Sequence, residues 1–371
     1  MMKKLYFLLL FLIPTLIQAQ ETRLIYENGL KNLEKEAFTQ AKTDFTKVLL
    51  KEPRHHDAYI KRGEARFGLN DFYGAIGDYN SALEIDSTKA NTYNLRGFAK
   101  YNLGDDEGAI EDYNKAIAKD PKLADAYTNR GFAYFNLEEM EASYFDFSKA
   151  IELDQNSADK YFNRAVIKAE LEEYISAIDD YTKCLELNPR DPEGYNMRGV
   201  SYYSIGNFEA ALKDYDQAIK LDPEDAIKYE NRASVKSIME DYDGAIADFN
   251  KSLALYPDDP DVFNMRGVVK YSQGKYDEAV EDYNKAIELD EFNPIYYENR
   301  ALAKADQEEY EESIADYNMA IELYPGDPDT YYQRGLVKLL MGDKYDGCLD
   351  LNMAKELGSD EVKADIKKNC K

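Results

Sequence analysis

The chain has 371 residues, 32% of them charged, with 72 Asp and Glu against 46 Lys and Arg for a formal net charge of −26. So acidic a chain lacks the clustered cations that displace counterions from nucleic acid, and anionic membrane surfaces are disfavoured for the same reason. Three cysteines are too few for a disulfide framework.

In chain order, residues 1–19 read as a leader. Met1-Met2-Lys3-Lys4 is basic, Leu5 to Ile17 is apolar but for Pro14 and Thr15, and Ile17-Gln18-Ala19 offers a cleavage site before Gln20. The run is too short to span a bilayer comfortably. A signal peptide is therefore expected, giving a bacterial protein exported to the periplasm or cell exterior, with no membrane insertion after cleavage. No Cys stands at the cleavage point to carry a lipid.

From residue 22 to residue 358 one pattern repeats every 34 residues. Its clearest rung is a ladder of arginines: Arg62, Arg96, Arg130, Arg164, Arg198, Arg232, Arg266, Arg300 and Arg334. A second ladder holds Asp44, Asp78, Asp112, Asp146, Asp180, Asp214, Asp248, Asp282, Asp316 and Asp350. Such register means one supersecondary unit copied ten times and stacked in a line.

Each unit divides into two helical stretches. In one copy Tyr93, Gly97 and Tyr101 share a stripe, Gly104 stops the helix, and Ala109, Tyr113 and Ala116 share a stripe on the second helix before Asp120-Pro121. Small residues facing one another (Gly63, Gly97, Gly131 and their successors against Ala75, Ala109, Ser143 and theirs) predict close approach of the two helices. The aromatic ladders around them read as core. In the C-terminal half a longer period of 68 residues appears: Glu230-Asn-Arg-Ala233 returns as Glu298-Asn-Arg-Ala301, and Leu255-Tyr-Pro as Leu323-Tyr-Pro. Gly206, Gly274 and Gly342 there alternate with Glu172, Glu240 and Glu308, which predicts alternating turn geometry.

The count of rungs predicts that the ladders pair between neighbouring units, Arg62 with Asp44, Arg96 with Asp78, and on to Arg334 with Asp316. The first unit has Asn28 where Arg would fall yet keeps Asp44; Asp350 is then left for Lys363 or Lys367. Residues 359–371 predict a capping helix with Ser359 at its start and Val362 and Ile366 on one face. Cys184 takes a small-residue position as a buried thiol; a bridge from Cys348 to Cys370 is left open.

At these residues the chain resembles the tetratricopeptide repeat family, whose unit has this length and this order of aromatic and small residues. The resemblance covers roughly residues 22–358. It implies an all-α fold, an α-solenoid wound as a right-handed superhelix of ten helix-turn-helix repeats plus the C-terminal capping helix, with a groove lined by the first helices. The Arg stands where the family usually has Leu. The family's Lys–Asn clamp for a C-terminal carboxylate has no counterpart at Ile60, Asn94, Thr128 and Phe162, or one turn on at Glu64, Phe98, Phe132 and Val166.

No catalytic constellation emerges. There is no phosphate-cradling Gly loop and no Gly-x-Ser-x-Gly elbow, His55 and His56 lack further ligands, and Asp beside Pro in the turns is capping chemistry. Neither a cofactor nor a metal is expected. The sequon Asn250-Lys-Ser252 lies inside a predicted helix. What remains is the groove, where Phe67, Phe98, Tyr101, Phe132 and Phe135 alternate with Asn94, Asn102, Asn129, Asn136 and Asn163. Rings supply contact area and amides bond a peptide backbone; alternatively the rings fill seams between first helices. The expected function is a non-enzymatic scaffold or adaptor of the cell envelope that binds a neutral to basic protein or extended peptide, with a glycan-binding module as the alternative.

Overall fold

The computed structural model describes residues 2–370, with side chains from residue 18 onward. All but the last two residues of the expected leader thus lie outside the described side chains. Every regular element among the described residues is a helix, and the chain divides into two compact units, Met1–Pro189 and Arg190–Lys371.

The first unit contains five antiparallel hairpins: α1 (Met2–Glu34) with α2 (Phe38–Lys51), α3 (His56–Phe67) with α4 (Phe72–Ile85), α5 (Ala90–Tyr101) with α6 (Asp106–Lys119), α7 (Ala124–Asn136) with α8 (Met140–Leu153), and α9 (Ala158–Glu170) with α10 (Tyr174–Leu187). The second unit repeats the plan. Its pairs are α11 (Pro192–Ser204) and α12 (Phe208–Leu221), α13 (Ala226–Ile238) and α14 (Tyr242–Leu255), α15 (Pro260–Ser272) and α16 (Tyr276–Leu289), α17 (Pro294–Asp306) and α18 (Tyr310–Leu323), and α19 (Pro328–Leu340) and α20 (Lys344–Glu356), followed by α21 (Lys363–Asn369).

Local chemistry sets the ends of these helices. Asp191, Asp225, Asp259, Asn293 and Asp327 accept backbone N–H groups at the starts of first helices, four of them directly before a proline. Inside each hairpin the chain reverses through one residue with φ between 56° and 90°: Glu36, Asn70, Gly104, Glu138, Glu172, Gly206, Glu240, Gly274, Glu308 and Gly342. The expected alternation of turn geometry does not occur. Glutamate and glycine take the same left-handed conformation, because the hairpin imposes it whichever residue stands there.

Within a hairpin the small residue of the first helix sits on the aromatic ring sixteen residues later. A Cβ at Gly97 would come 2.8 Å from Tyr113 Cε1, and one at Gly199 would come 2.7 Å from Tyr215 Cε1. Phe45, Tyr79, Tyr113, Phe147, Tyr181, Tyr215, Phe249, Tyr283 and Tyr317 are all buried in this way.

The arginine and aspartate ladders obey the same sixteen-residue register, and the neighbour pairing expected from the count is overturned. Each Arg lies on the Asp of its own hairpin: Arg62 on Asp78, Arg96 on Asp112, Arg130 on Asp146, Arg164 on Asp180, Arg198 on Asp214, Arg232 on Asp248, Arg266 on Asp282, Arg300 on Asp316 and Arg334 on Asp350, at 2.5 to 2.7 Å. The reason is adjacency. Arg precedes the small residue and Asp precedes the aromatic ring, so one antiparallel contact brings both pairs together.

Neighbouring hairpins are nevertheless joined through the same guanidinium. Arg62, Arg96, Arg232, Arg266, Arg300 and Arg334 use Nη1 to reach Thr46, Asn80, Asp216, Asn250, Asn284 and Asn318 on the preceding second helix, at 2.5 to 3.3 Å. Arg130 reaches Asn114 in the same way. The aromatic residue one turn earlier lies under each guanidinium, as Tyr93 does under Arg96 at 5.4 Å. Asp44 instead accepts from Asn32, at 3.0 Å, and Lys47, at 3.1 Å. Asp350 needs no help from the tail: Arg334 and Lys338 both reach it at 2.7 Å, while Lys363 pairs with Asp360 at 2.6 Å.

Asp78, Asp112, Asp180, Asp248, Asp282, Asp316 and Asp350 also take a second cation four residues beyond the Arg, such as Lys100 on Asp112 at 2.9 Å. Tyr134 and Tyr202 stand at that place in two hairpins, their rings under Arg130 and Arg198. The consequence shows in the carboxyl groups. Burial pulls Asp112 upward, but hydrogen bonds from Arg96 and Lys100 outweigh it and the group ends below the ordinary carboxylate range. Burial also pushes Asp146 upward; Arg130 alone does not offset it, and the group ends above that range.

At the C-terminus the helix starts later than expected. Ser359 does not cap it. Gly358, at φ 108°, ends α20 with Ser359 donating to the Ala354 carbonyl, and α21 begins at Lys363. Val362 is fully buried, the Tyr332 hydroxyl donates to Asp365 at 2.9 Å, and Cys348 is disulfide-bonded to Cys370. Cys184 is buried and takes no part in a disulfide.

Candidate functional site

The residues expected to line a groove fall on first helices of the first unit, and the structure sorts them into two groups. Phe67 stacks on Phe98 with ring centroids 5.1 Å apart, and Phe98 is followed by Tyr101 at 6.4 Å. Phe67 also packs against the buried cluster of Ala75, Tyr79 and Ala99. This stack fills the seam between α3 and α5, the structural alternative for these rings.

The second group opens a cleft of about 300 Å³ lined by Tyr101, Phe132, Phe135, Asn136, Asn163 and four further residues, Phe147, Phe162, Val166 and Ile167. Phe132 meets Phe147 edge-on at 5.2 Å and Phe162 meets Tyr181 at 5.6 Å, so the walls are held by core rings. The sequence reading placed Phe162 and Val166 only at the positions of the absent carboxylate clamp. Their register with Asn94 and Phe98, two repeats earlier, was the signal that they face the same side.

The amides expected to hold a ligand are mostly engaged within the protein. Asn94 is buried and its carbonyl oxygen accepts from Asn129 Nδ2 at 3.1 Å, bridging α5 and α7. The Asn102 amide donates to the Phe98 carbonyl at 2.8 Å, and Asn136 Nδ2 donates to Asp106 at 3.2 Å. Asn94 and Asn129 are thus structural, because close contact between first helices turns their amides on each other, while Asn102 is exposed and bonds back to its own helix. Among the described residues Asn163 alone of the five has no partner, and it faces the cleft.

Other sequence signals also resolve. His55 caps α3 by accepting from the Ala58 N–H and stacks on Tyr26 at 5.1 Å, while His56 contacts Asp57 at 2.8 Å. Asn250 of the sequon receives Arg266 at 2.5 Å, and Ser252 is buried and donates to Glu230 at 2.6 Å. Among the described residues no group of His, Cys, Asp and Glu is arranged to hold a metal ion, and no helix is long and apolar enough to cross a membrane.

Models described as tetratricopeptide repeat match residues 26–90, 124–157, 158–191, 192–225 and 229–259, and a model described as TPR repeat matches 99–138, 267–308 and 302–342. The chain belongs to the tetratricopeptide repeat family. Among solved tetratricopeptide structures it is similar to the C-terminal part of a repeat protein from Cytophaga hutchinsonii, at 20% identity and a TM-score of 0.54 over 64% of this chain and 97% of that one. A tetratricopeptide repeat protein from Parabacteroides merdae is similar at 20% identity and a TM-score of 0.50, over 67% of this chain and 99% of that one. YrrB, described as a TPR protein with an unusual peptide-binding site, is 24% identical with a TM-score of 0.42, over 48% of this chain and 92% of that one. No curated protein matches the chain.

Proposed function

We propose that this tetratricopeptide protein is a non-enzymatic scaffold of the bacterial cell envelope that seats a protein partner or extended peptide in the aromatic cleft of its first unit. The carrying observation is the cleft itself: rings fixed by the core beneath them, with the Asn163 amide open to bond a peptide backbone. An overall charge of −26 favours neutral or basic partners. The leader and the Cys348–Cys370 disulfide support an exported, oxidising setting.

A peptide array read beside a glycan array tests the reading. Extended, basic peptides carrying an apolar side chain are expected to bind, and Phe132→Ala and Phe162→Ala to weaken them by at least about tenfold, as loss of an aromatic anchor does. Binding confined to the glycan array would replace this reading with the sugar-binding one. Mass spectrometry of the envelope fraction should find a mature chain beginning at Gln20; an unprocessed chain in the cytoplasm would remove the envelope from the account.

A further inference from the structure

The 68-residue period of the second unit has no role in the cleft, yet it places one surface feature twice. On the edge where α13 begins and α14 ends, Ile227 and Tyr256 are 57% and 58% exposed. They flank a cavity of about 550 Å³ whose lining also includes Leu255, Glu230, Asp225 and Asp259. One period later Ile295 and Tyr324 are 52% and 57% exposed, with Leu323, Glu298 and Asp327 at the matching positions.

At each copy an exposed aliphatic side chain and an exposed ring thus stand beside carboxylates, an apolar contact surface with a polar rim. At the first copy the Ile227 N–H donates to Asp225 at 3.0 Å and the Glu224 N–H to Asp222 at 3.4 Å. Lys228 answers Asp222, at 3.1 Å, and Asp225; Ser252 donates to Glu230 at 2.6 Å; and Asp259 accepts the N–H groups of Asp261 and Val262. Among the described residues no cation reaches Glu230 or Asp259. At the second copy Glu298 and Asp327 both receive the Thr330 hydroxyl, at 2.6 and 2.5 Å, and Tyr296 stands where Lys228 stood. Burial, with Asp259 and Asp225 nearby, pushes the Glu230 carboxyl above the usual range, and burial with Asp327 and Asp329 does the same to Glu298.

We propose that the second unit carries a bivalent docking edge for a basic, extended polypeptide segment. Two Lys or Arg side chains dock at the two copies, with their alkyl stems along Ile227 and Tyr256 or Ile295 and Tyr324 and their charges toward Glu230 and Asp259 or Glu298 and Asp327. The chemistry selects this occupant: a cationic head needs carboxylates that lack a cation, and a long stem needs an apolar wall beside them. Within the second unit first helices of adjacent hairpins touch, through Asn231 on Asn196 at 3.0 Å and Asn299 on Asn264 at 2.8 Å. Interaxial spacings of about 8–10 Å put the two copies, two hairpins apart, at roughly 20 Å. A strand rising about 3.3 Å per residue covers that span in about six residues. This surface is independent of the first-unit cleft.

Fluorescence anisotropy with synthetic peptides on the full chain tests it. A labelled peptide with two lysines about six residues apart, in a neutral Ser/Thr background, should bind at least about tenfold tighter than one with adjacent lysines or a single lysine, the gain expected of linked sites. Tyr256→Ser or Tyr324→Ser should each bring it down to the single-lysine level; both rings are exposed, and an unchanged thermal melt confirms folding. Phe132→Ala, in the other unit, should leave binding unaltered. Affinity that follows the number of lysines whatever their spacing, or that ignores both tyrosine variants, overturns the proposal in favour of bulk charge. Loss of binding in Phe132→Ala overturns it in favour of the cleft.

Discussion

Replacing Arg130 by Met should destabilise the first unit far more than replacing Arg96 by Met, although the two arginines are held alike. Both pair with a buried aspartate of their own hairpin, Asp146 at 2.7 Å and Asp112 at 2.5 Å, and both reach back to an asparagine, Asn114 and Asn80. The difference is the second cation. Asp112 retains Lys100 at 2.9 Å, whereas Tyr134 stands at that place beside Asp146. Removing Arg130 therefore strands a buried charge, which costs about 3–5 kcal/mol. Removing Arg96 costs only its hydrogen bonds to a still-compensated carboxylate, about 1.5–3 kcal/mol. In a stack whose stability is a sum of nearest-neighbour terms, the loss should appear as early unfolding around α7 and α8. Urea unfolding at neutral pH, followed by far-UV circular dichroism, reads the difference, and adding Tyr134→Lys to Arg130→Met should recover about half of it or more. The sign with pH follows. Asp146 already sits above the ordinary carboxylate range, so in the folded variant it binds its proton more readily than in the unfolded chain. The penalty is present at neutral pH and shrinks as pH falls toward about 4. Equal losses for the two variants, or no recovery with Tyr134→Lys, would refute the reasoning.

In the wild-type protein, carboxyl NMR should find Asp146 titrating above the ordinary range and Asp112 below it, so the stabilisation from Asp112 is lost as pH falls beneath about 4; identical titrations would remove the role given to Lys100. Glu172 and Glu240 hold a left-handed conformation at φ 60° and 62°, so replacing either by Gly should raise stability by about 1 kcal/mol in chemical denaturation. A Cβ on Gly97 would meet Tyr113 at 2.8 Å whereas one on Gly77 meets nothing within 4 Å. Gly97→Ala should therefore lower the melting midpoint and Gly77→Ala raise it slightly, by about 0.5–1 kcal/mol. Cys370→Ser opens a loop of 22 residues and should cost about 3 kcal/mol, confined by hydrogen exchange to α20 and α21; protection lost in the first unit would contradict a local clasp.

The period, the two helices per unit and the small-against-aromatic packing were all legible in the sequence, because each leaves a residue type that recurs at fixed spacing. The pairing of the ladders was not. A 34-residue period says that Arg and Asp recur together, but it is silent on whether partners lie sixteen residues ahead or eighteen behind. The register of Gly63 on Tyr79 decides it, and that contact needs coordinates. The role of Lys100 and its equivalents was not legible, since nothing in a single sequence separates a lysine that reaches a buried carboxylate from one that does not. The groove was half legible. Rings were placed on the right helices, but amides look alike whether they face a ligand or, as Asn94 and Asn129 do, each other.

That each Arg–Asp pair of the two ladders closes inside its own hairpin bears on how such a chain changes length. A hairpin excised or copied as a block carries both ends of its buried pair, so no charge is stranded at the new junction. The bond from each ladder guanidinium to the preceding helix is then remade with whatever acceptor stands there, and Thr46, Asn80, Asp216 and Asn250 all serve. The 68-residue echo in the second unit spans two such hairpins. A protein built this way can lengthen its reach, or move two docking points apart by whole hairpins, without redesigning its core.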